Sequence, residues 1–338
     1  TSDQNFNTVL YTGNGSTQSI TGVGFQPDWV WIKNRAATDS HALTDSVRGV
    51  TKEISSNSGD AESTNADGLT AFGTDGFSLG DDVIYNTNTE TYVSWNWKAG
   101  TAVSGTTSGA GTGKAYSGSV NTDAGFSIIT YKGNATDNHT IPHHLGVVPD
   151  FISVKNRDAA EGWVAYTTPT LATHFLGWNS TGAAADSDGE WSDTTPTSSV
   201  FTLGTQDRVN TDDADYIAYC WASVEGYSKV GSYTGNANVV GPFVYTGFRP
   251  SFVMFKNAAG AGNSWLIFDG VRTPSNQEFL ELKPDASAVE SPVGTYAYFD
   301  FLSNGFKPRN SGTATNASGQ KIIYMAFAES PFKYANAR

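Results

Sequence analysis

One short string occurs three times in this chain. Tyr11-Thr12-Gly13-Asn14 returns as Tyr131-Lys132-Gly133-Asn134 and as Tyr233-Thr234-Gly235-Asn236. Each is followed by a proline and then a lysine: Pro27 and Lys33, Pro149 and Lys155, Pro250 and Lys256. The Tyr-to-Lys spacings are 22, 24 and 23 residues. Self-similarity at so long a period is the mark of tandem copies of one folding unit. The same feature bears on function. A copied binding surface gains avidity, whereas catalysis gains little from three copies of a site.

Two further landmarks recur in order. Gly76-Phe77-Ser78-Leu79-Gly80 is matched by Phe201-Thr202-Leu203-Gly204 and by Gly305-Phe306. Asn86, Asn210 and Asn316 each precede an apolar run that opens at Tyr92, Tyr216 or Ile322. These asparagines lead short polar stretches and read as hairpin loops. The runs themselves read as strands. Trp29-Val30-Trp31-Ile32, Phe151-Ile152-Ser153-Val154 and Phe252-Val253-Met254-Phe255 are short, aromatic and β-branched, with apolar residues on both faces. In the last strand of each unit, Val93, Trp95 and Trp97 share a face, as do Ile217, Tyr219 and Trp221, and Ile323, Met325 and Phe327. Period two with bulky groups on one side predicts that this side lies in a core. Helix signals are thin, with one candidate at 276–282. The expected fold is all-β: three tandem β-sandwich repeats of lectin-like or jelly-roll-like form.

The 338 residues leave room for two or three domains, and the repeats select three. The boundaries expected are 1–100, 120–225 and 226–338, with 101–119 a Gly/Ser/Thr-rich flexible linker. Aromatic residues at 13% give each unit the means to build its own core. A net charge of −13, scattered rather than blocked, argues against nucleic acid and against anionic membrane surfaces. No apolar run approaches the length of a membrane span, so no insertion is expected. The single Cys220 allows no internal disulfide and reads as a small buried hydrophobe. Thr1-Ser2-Asp3 carries neither a methionine nor a signal-peptide pattern, so the chain reads as processed or as part of something longer.

Motifs with chemical meaning are few. Residues 108–115 fail as a phosphate loop: Ser108 stands where the first glycine belongs, and Ala115 follows Lys114. His139, His143 and His144 invite a metal, but the other units have no equivalent. Asp81, Asp82, Asp212, Asp213 and Asp215 supply oxygen ligands of the type Ca2+ takes, in turns that lack the register of a dedicated calcium loop. No cofactor is expected. Asp45 and Arg48 in the first unit match Asp269 and Arg272 in the third, as an internal ion pair or a ligand clamp. Lys33, Lys155 and Lys256 end apolar strands, where a lysine snorkels to water or meets a partner chain. No repeated landmark is a catalytic acid, so no enzyme is expected.

Residues Gly24-Phe25-Gln26-Pro27-Asp28-Trp29-Val30-Trp31-Ile32-Lys33-Asn34-Arg35, with Tyr216-Ile217-Ala218-Tyr219-Cys220-Trp221 and the ending from Tyr324 to Arg338, resemble a tailed-bacteriophage virion protein family. The resemblance implies a structural protein of the particle exterior, a tail fibre or related appendage, oligomeric there and in contact with other virion proteins. It supplies no catalytic residues. Two main readings follow: an adhesin that touches host-surface glycan, or a head-decoration, cement or tail-wall protein that binds other virion chains. A glycan-degrading enzyme is the weakest alternative. For the adhesin, the expected contact residues are Trp178 and Trp191, in a polar, turn-rich stretch outside the repeated strands. The landmarks Tyr11, Asn14, Pro27, Lys33, Asn86, Trp97, Tyr131, Asn134, Pro149, Lys155, Asn210, Trp221, Tyr233, Asn236, Pro250, Lys256, Asn316 and Phe327 are assigned to structure.

Overall fold

A computed structural model describes residues 4–292 and 298–329. The last part of the family-like ending, 330–338, lies outside the described residues. The chain is almost entirely β, in antiparallel sheets. The first large sheet comprises β1 (Phe6–Thr12), β2 (Trp29–Asn34), β3 (Ala42–Asp45) and β4 (Thr91–Trp97), in the order β1-β4-β2-β3. The second comprises β5 (Thr101–Thr106), β6 (Ala115–Asn121), β7 (Phe126–Lys132), β8 (Phe151–Asn156), β9 (Val164–Thr167) and β10 (Asp215–Trp221), in the order β5-β6-β7-β10-β8-β9. The third comprises β11 (Ser228–Thr234), β12 (Pro250–Asn257), β13 (Leu266–Asp269) and β14 (Lys321–Ala328), in the order β11-β14-β12-β13. In the first and third sheets the last strand slides between the first two, and in the second β10 slides between β7 and β8. Phe6 faces Trp97, Phe126 faces Trp221 and Ser228 faces Phe327.

Both-sided apolarity of the central strands has a direct cause. One face of all three sheets meets in a common core that holds Trp29, Trp31, Trp95, Trp97, Tyr219, Trp221, Phe252, Met254 and Phe327. The alternation in the last strands therefore marks the core face as expected. The opposite face of each large sheet packs on a small three-stranded sheet. In the first lobe Val30, Ile32 and Tyr92 meet Ile20, Phe77 and Leu79. The second lobe closes with Ser108–Gly109, His139–Pro142 and Val200–Leu203, and the third with Val244–Tyr245, Phe299–Leu302 and Gly305–Pro308. A strand covered on both sides carries mainly apolar residues on both.

Two expectations fail here. Residues 101–119 are no flexible linker: β5 and β6 pair over six residues and extend the second sheet. Small residues permit this, because Gly118 leaves room for the Ile128 carbonyl and the Ile129 side chain on β7. Residues 276–282 are not helical. Glu278 bridges to Phe299 and Leu280–Glu281 forms a strand, so cross-strand partners override a helix-compatible string. Single-turn helices instead occupy Val83–Asn86, Asp207–Asn210 and Thr313–Asn316, each ending on a landmark asparagine.

Those landmarks form one stitch in each lobe. Asn86 Oδ1 accepts the Asn14 backbone N–H at 2.9 Å while its amide donates to Gly80 O at 2.8 Å. Asn210 does the same with Asn134 (2.8 Å) and Gly204 (2.8 Å), and Asn316 with Asn236 (2.9 Å) and Asn310 (2.6 Å). Tyr11, Tyr131 and Tyr233 donate their hydroxyls to the carbonyls of Tyr85, Val209 and Thr315. The glycine between them is steric. A Cβ on Gly13, Gly133 or Gly235 would overlap the carbonyl oxygen of Thr87, Thr211 or Ala317. Backbone cannot yield as a side chain does. Gly133→Ala is therefore expected to cost about 1–3 kcal/mol or more, read as a fall in denaturant midpoint. A loss within error would contradict this reading of the motif.

Candidate interaction surfaces

Trp178 and Trp191, the expected contact residues, are both only 1% exposed. Trp178 follows the bridge between Ala165 and Leu176 and enters the common core, edge-on to Trp31 at 5.1 Å and to Trp163 at 5.2 Å. Trp191 ends the helical turn Asp188–Trp191 and packs on Tyr166 and Phe201. The polar residues around them are turn chemistry, and an indole gains far more from burial than from display. Neither ring is available to a ligand on this surface.

The strand-end lysines do not snorkel. Lys33, Lys155 and Lys256 are wholly buried. Each amine is wrapped by the loop that follows its strand. Lys33 Nζ donates to Asn34 O at 2.6 Å and Ala37 O at 3.0 Å, Lys155 Nζ to Asn156 O at 2.6 Å, and Lys256 Nζ to Asn263 O at 2.5 Å. Burial lowers all three amines to about 8. The asparagine after each lysine caps the same loop: Asn34, Asn156 and Asn257 accept pairs of backbone N–H groups through Oδ1.

Asp45 and Arg48 form a fully buried ion pair at 2.5 Å, as do Asp269 and Arg272. Both pairs lead into contacts between lobes. Arg48 reaches Glu62, and Glu62 in turn takes Arg157 of the second lobe through two bonds of 2.9 Å. Arg272 reaches Glu290, which takes Arg35 of the first lobe at 3.0 and 2.7 Å. Where second meets third, Ala184 and Ala258 stand in these places and keep only the main-chain bond, at 2.8 Å. There the second lobe has Thr167 and Thr170 instead of the acid and arginine, with hydroxyls 2.8 Å apart. The charged triplet is thus kept or lost as a set.

A second series of contacts follows the same direction around the core. Trp163 Nε1 donates to Ser55 O at 2.8 Å and Trp265 Nε1 to Gly177 O at 2.9 Å. In the first lobe His41 takes the tryptophan's place and lies 2.9 Å from Lys283 O. Trp31 Nε1 donates to His41 Nδ1, which leaves the proton on Nε2 to meet that carbonyl. Burial, helped by the Lys33 charge, pushes the imidazole down to about 3, so it stays neutral.

Two histidines among the sequence candidates are also satisfied internally. His139 contacts Asn134 and Thr107, and His143 contacts Thr197 O. Burial lowers His143 to about 4. Among the described residues no group of three or more His, Cys, Asp or Glu side chains is arranged to hold a metal. Lys114 bridges Asp212 and Asp213, and Lys132 pairs with Asp215. Cys220 is buried and its thiol is pushed up to about 12. One open, mostly polar concavity of ≈ 570 Å³ is lined by Asn5, Lys98, Asn121, Asp123 and Tyr227.

Four exposed apolar side chains fall within seven residues of the third lobe, a stretch that the sequence reading passed over. Val239, Val240, Phe243 and Tyr245 are 60%, 56%, 47% and 59% exposed. Lys229 lies 5.4 Å above the Tyr245 ring. The signal was legible as a difference between the segments that follow each Tyr-x-Gly-Asn string. Gly15-Ser16-Thr17-Gln18-Ser19 is polar where the third lobe carries Val239, Val240 and Phe243. A cluster of such side chains on a surface marks a binding site more often than scattered ones do.

The chain belongs to the family defined by a domain of unknown function, DUF7483, whose model matches residues 1–331. A search of curated proteins found no match.

Proposed function

We propose that this protein is a structural component of a bacteriophage particle, a tail-fibre or appendage adhesin on the exterior. In this reading three tandem β-sandwich modules close around a pseudo-threefold axis and bind by contact rather than by chemistry. The resemblance of the strand and C-terminal motifs to virion proteins motivates the assignment to a particle. The observation that carries the binding role is internal. Tyr, Gly, Asn and Lys, the residues repeated most faithfully, are consumed by stitches and loop caps, while the exposed Val239, Val240 and Phe243 sit where the three segments differ. A scaffold held constant under variable loops suits recognition.

Host contact is assigned to the third lobe's Val239–Tyr245 loop, with Phe243 and Tyr245 as stacking groups for a glycan. Phe243→Ala with Tyr245→Ala is expected to weaken binding to host-surface polysaccharide at least tenfold, about 1.4 kcal/mol, on a glycan array or by interferometry, with the unfolding midpoint unchanged. Undiminished binding would remove the loop from the reading. A second reading, a decoration or cement protein, draws support from the cyclic order of contacts between lobes. A body with three matched sides suits a threefold site on a shell. Labelling the protein on particles by electron microscopy separates appendage from shell, and absence from both overturns the virion assignment.

A further inference from the structure

We infer that β5 is a self-association edge, through which two copies of this chain join their second sheets into one continuous antiparallel sheet. The inference does not depend on the virion reading. β5 is the outermost strand of the largest sheet, and among the described residues its only strand partner is β6. Thr107 N–H bonds to Lys114 O at 2.7 Å, which fixes the phase of the hairpin. In an antiparallel pair, alternate residues turn their N–H and C=O away from the partner. Thr101, Val103 and Gly105 therefore serve β6, and Ala102, Ser104 and Thr106 present their backbone groups to the open side. Five of the six residues have exposed side chains.

The corresponding edges of the other large sheets are guarded. On β11, Ser223 Oγ takes the Val230 N–H and Lys229 adds a charge. On β1, Gln18 caps the Thr12 carbonyl and Thr8 is buried. β5 has neither charge, proline nor bulge, the usual protections of an exposed edge.

The occupant is a second β5 for electrostatic reasons. The chain carries a net charge of −13, so most of its surface repels a second copy. Thr101-Ala102-Val103-Ser104-Gly105-Thr106 is uncharged and short-branched, so two such strands meet without like charges or clashes. With Ser104 opposite its symmetry mate, Ala102 faces Thr106 of the other copy and about six main-chain hydrogen bonds form. The contact is isologous and closes on itself.

Sedimentation of the full chain over a rising concentration series tests the inference. A dimer is expected for the wild type. Ser104→Pro, which deletes only an outward N–H, and Ser104→Lys, which keeps that N–H and places charge against charge, should each weaken dimerisation about tenfold or more. Circular dichroism must match the wild type. Ser104→Cys should give a disulfide-linked dimer under mild oxidation, and Thr64→Cys, on a separate exposed strand, should not; Cys220 is buried and will not contribute. A wild type that stays monomeric throughout, dimers that persist in both Ser104→Pro and Ser104→Lys, or no cross-link in the Ser104→Cys variant would overturn it.

Discussion

Replacing Arg48 with alanine is expected to cost about 3–5 kcal/mol of stability, the largest loss of any single change considered for this chain. Arg48 is held on every side. Its guanidinium pairs with Asp45, donates to Leu43 O at 2.9 Å, approaches Tyr219 at 3.2 Å and reaches Glu62 at 3.2 Å. Burial opposes the cation, but Asp45, Tyr219 and Glu62 reverse that and raise the guanidinium above its usual value. Removal strands the Asp45 carboxylate, wholly buried, with only the Tyr219 hydroxyl at 2.7 Å and the backbone N–H groups of residues 47 and 48. It also loosens Glu62, which ties the first lobe to Arg157 of the second.

The chain contains the remedy. The second lobe holds Thr167 and Thr170 at the same turn, and Thr170 Oγ1 bonds to Thr167 O at 3.0 Å. Asp45→Thr with Arg48→Thr should recover most of the loss seen in Arg48→Ala, because no charge is left unpaired. Urea titrations of the two variants decide it. If the double variant is as unstable as the single, the pair itself, and not the orphaned charge, carries the stability.

The limits of the sequence follow from the same contacts. The all-β class was legible because period two survives in Val93, Trp95 and Trp97 and in the two later runs that match them. What lies on the far side of that face was not. Trp97 meets Phe252 and Phe327, residues more than a hundred positions away in sequence, and no local pattern encodes which surface a tryptophan will cover. The same blindness misplaced Trp178, whose polar neighbours describe its turn and not its ring. Lys33 was misread for a different reason. Its position at a strand end is local, but the loop that wraps it is built by Asn34, whose capping role shows only in three dimensions. The β5–β6 hairpin was hidden by composition, because Gly, Ser and Thr serve an extended edge as readily as a linker.

Glu278→Gln is expected to stabilise the protein, and only above acid pH. Glu278 is 1% exposed, and neither carboxyl oxygen has a hydrogen-bond partner among the described residues. Its backbone is fixed by two bonds to Phe299, 2.8 and 3.2 Å, so the side chain cannot leave with the segment intact. Burial, reinforced by the Asp269 charge, raises the acid from 4.5 to about 8, against the pull of Arg249 and Arg272. A carboxyl raised in the folded state contributes fully below pH 4.5, and that contribution is lost as pH climbs to about 8. Across this window the wild type should lose about 1.4 kcal/mol per pH unit relative to Glu278→Gln, about 4–5 kcal/mol in all. Asp28, Glu53 and Asp285 are also raised by burial, but they are common to both proteins and cancel in the comparison. Unfolding midpoints measured from pH 4.5 to about pH 8 should diverge steadily. Parallel curves would mean that Glu278 ionises normally and that its carboxylate finds a partner on folding.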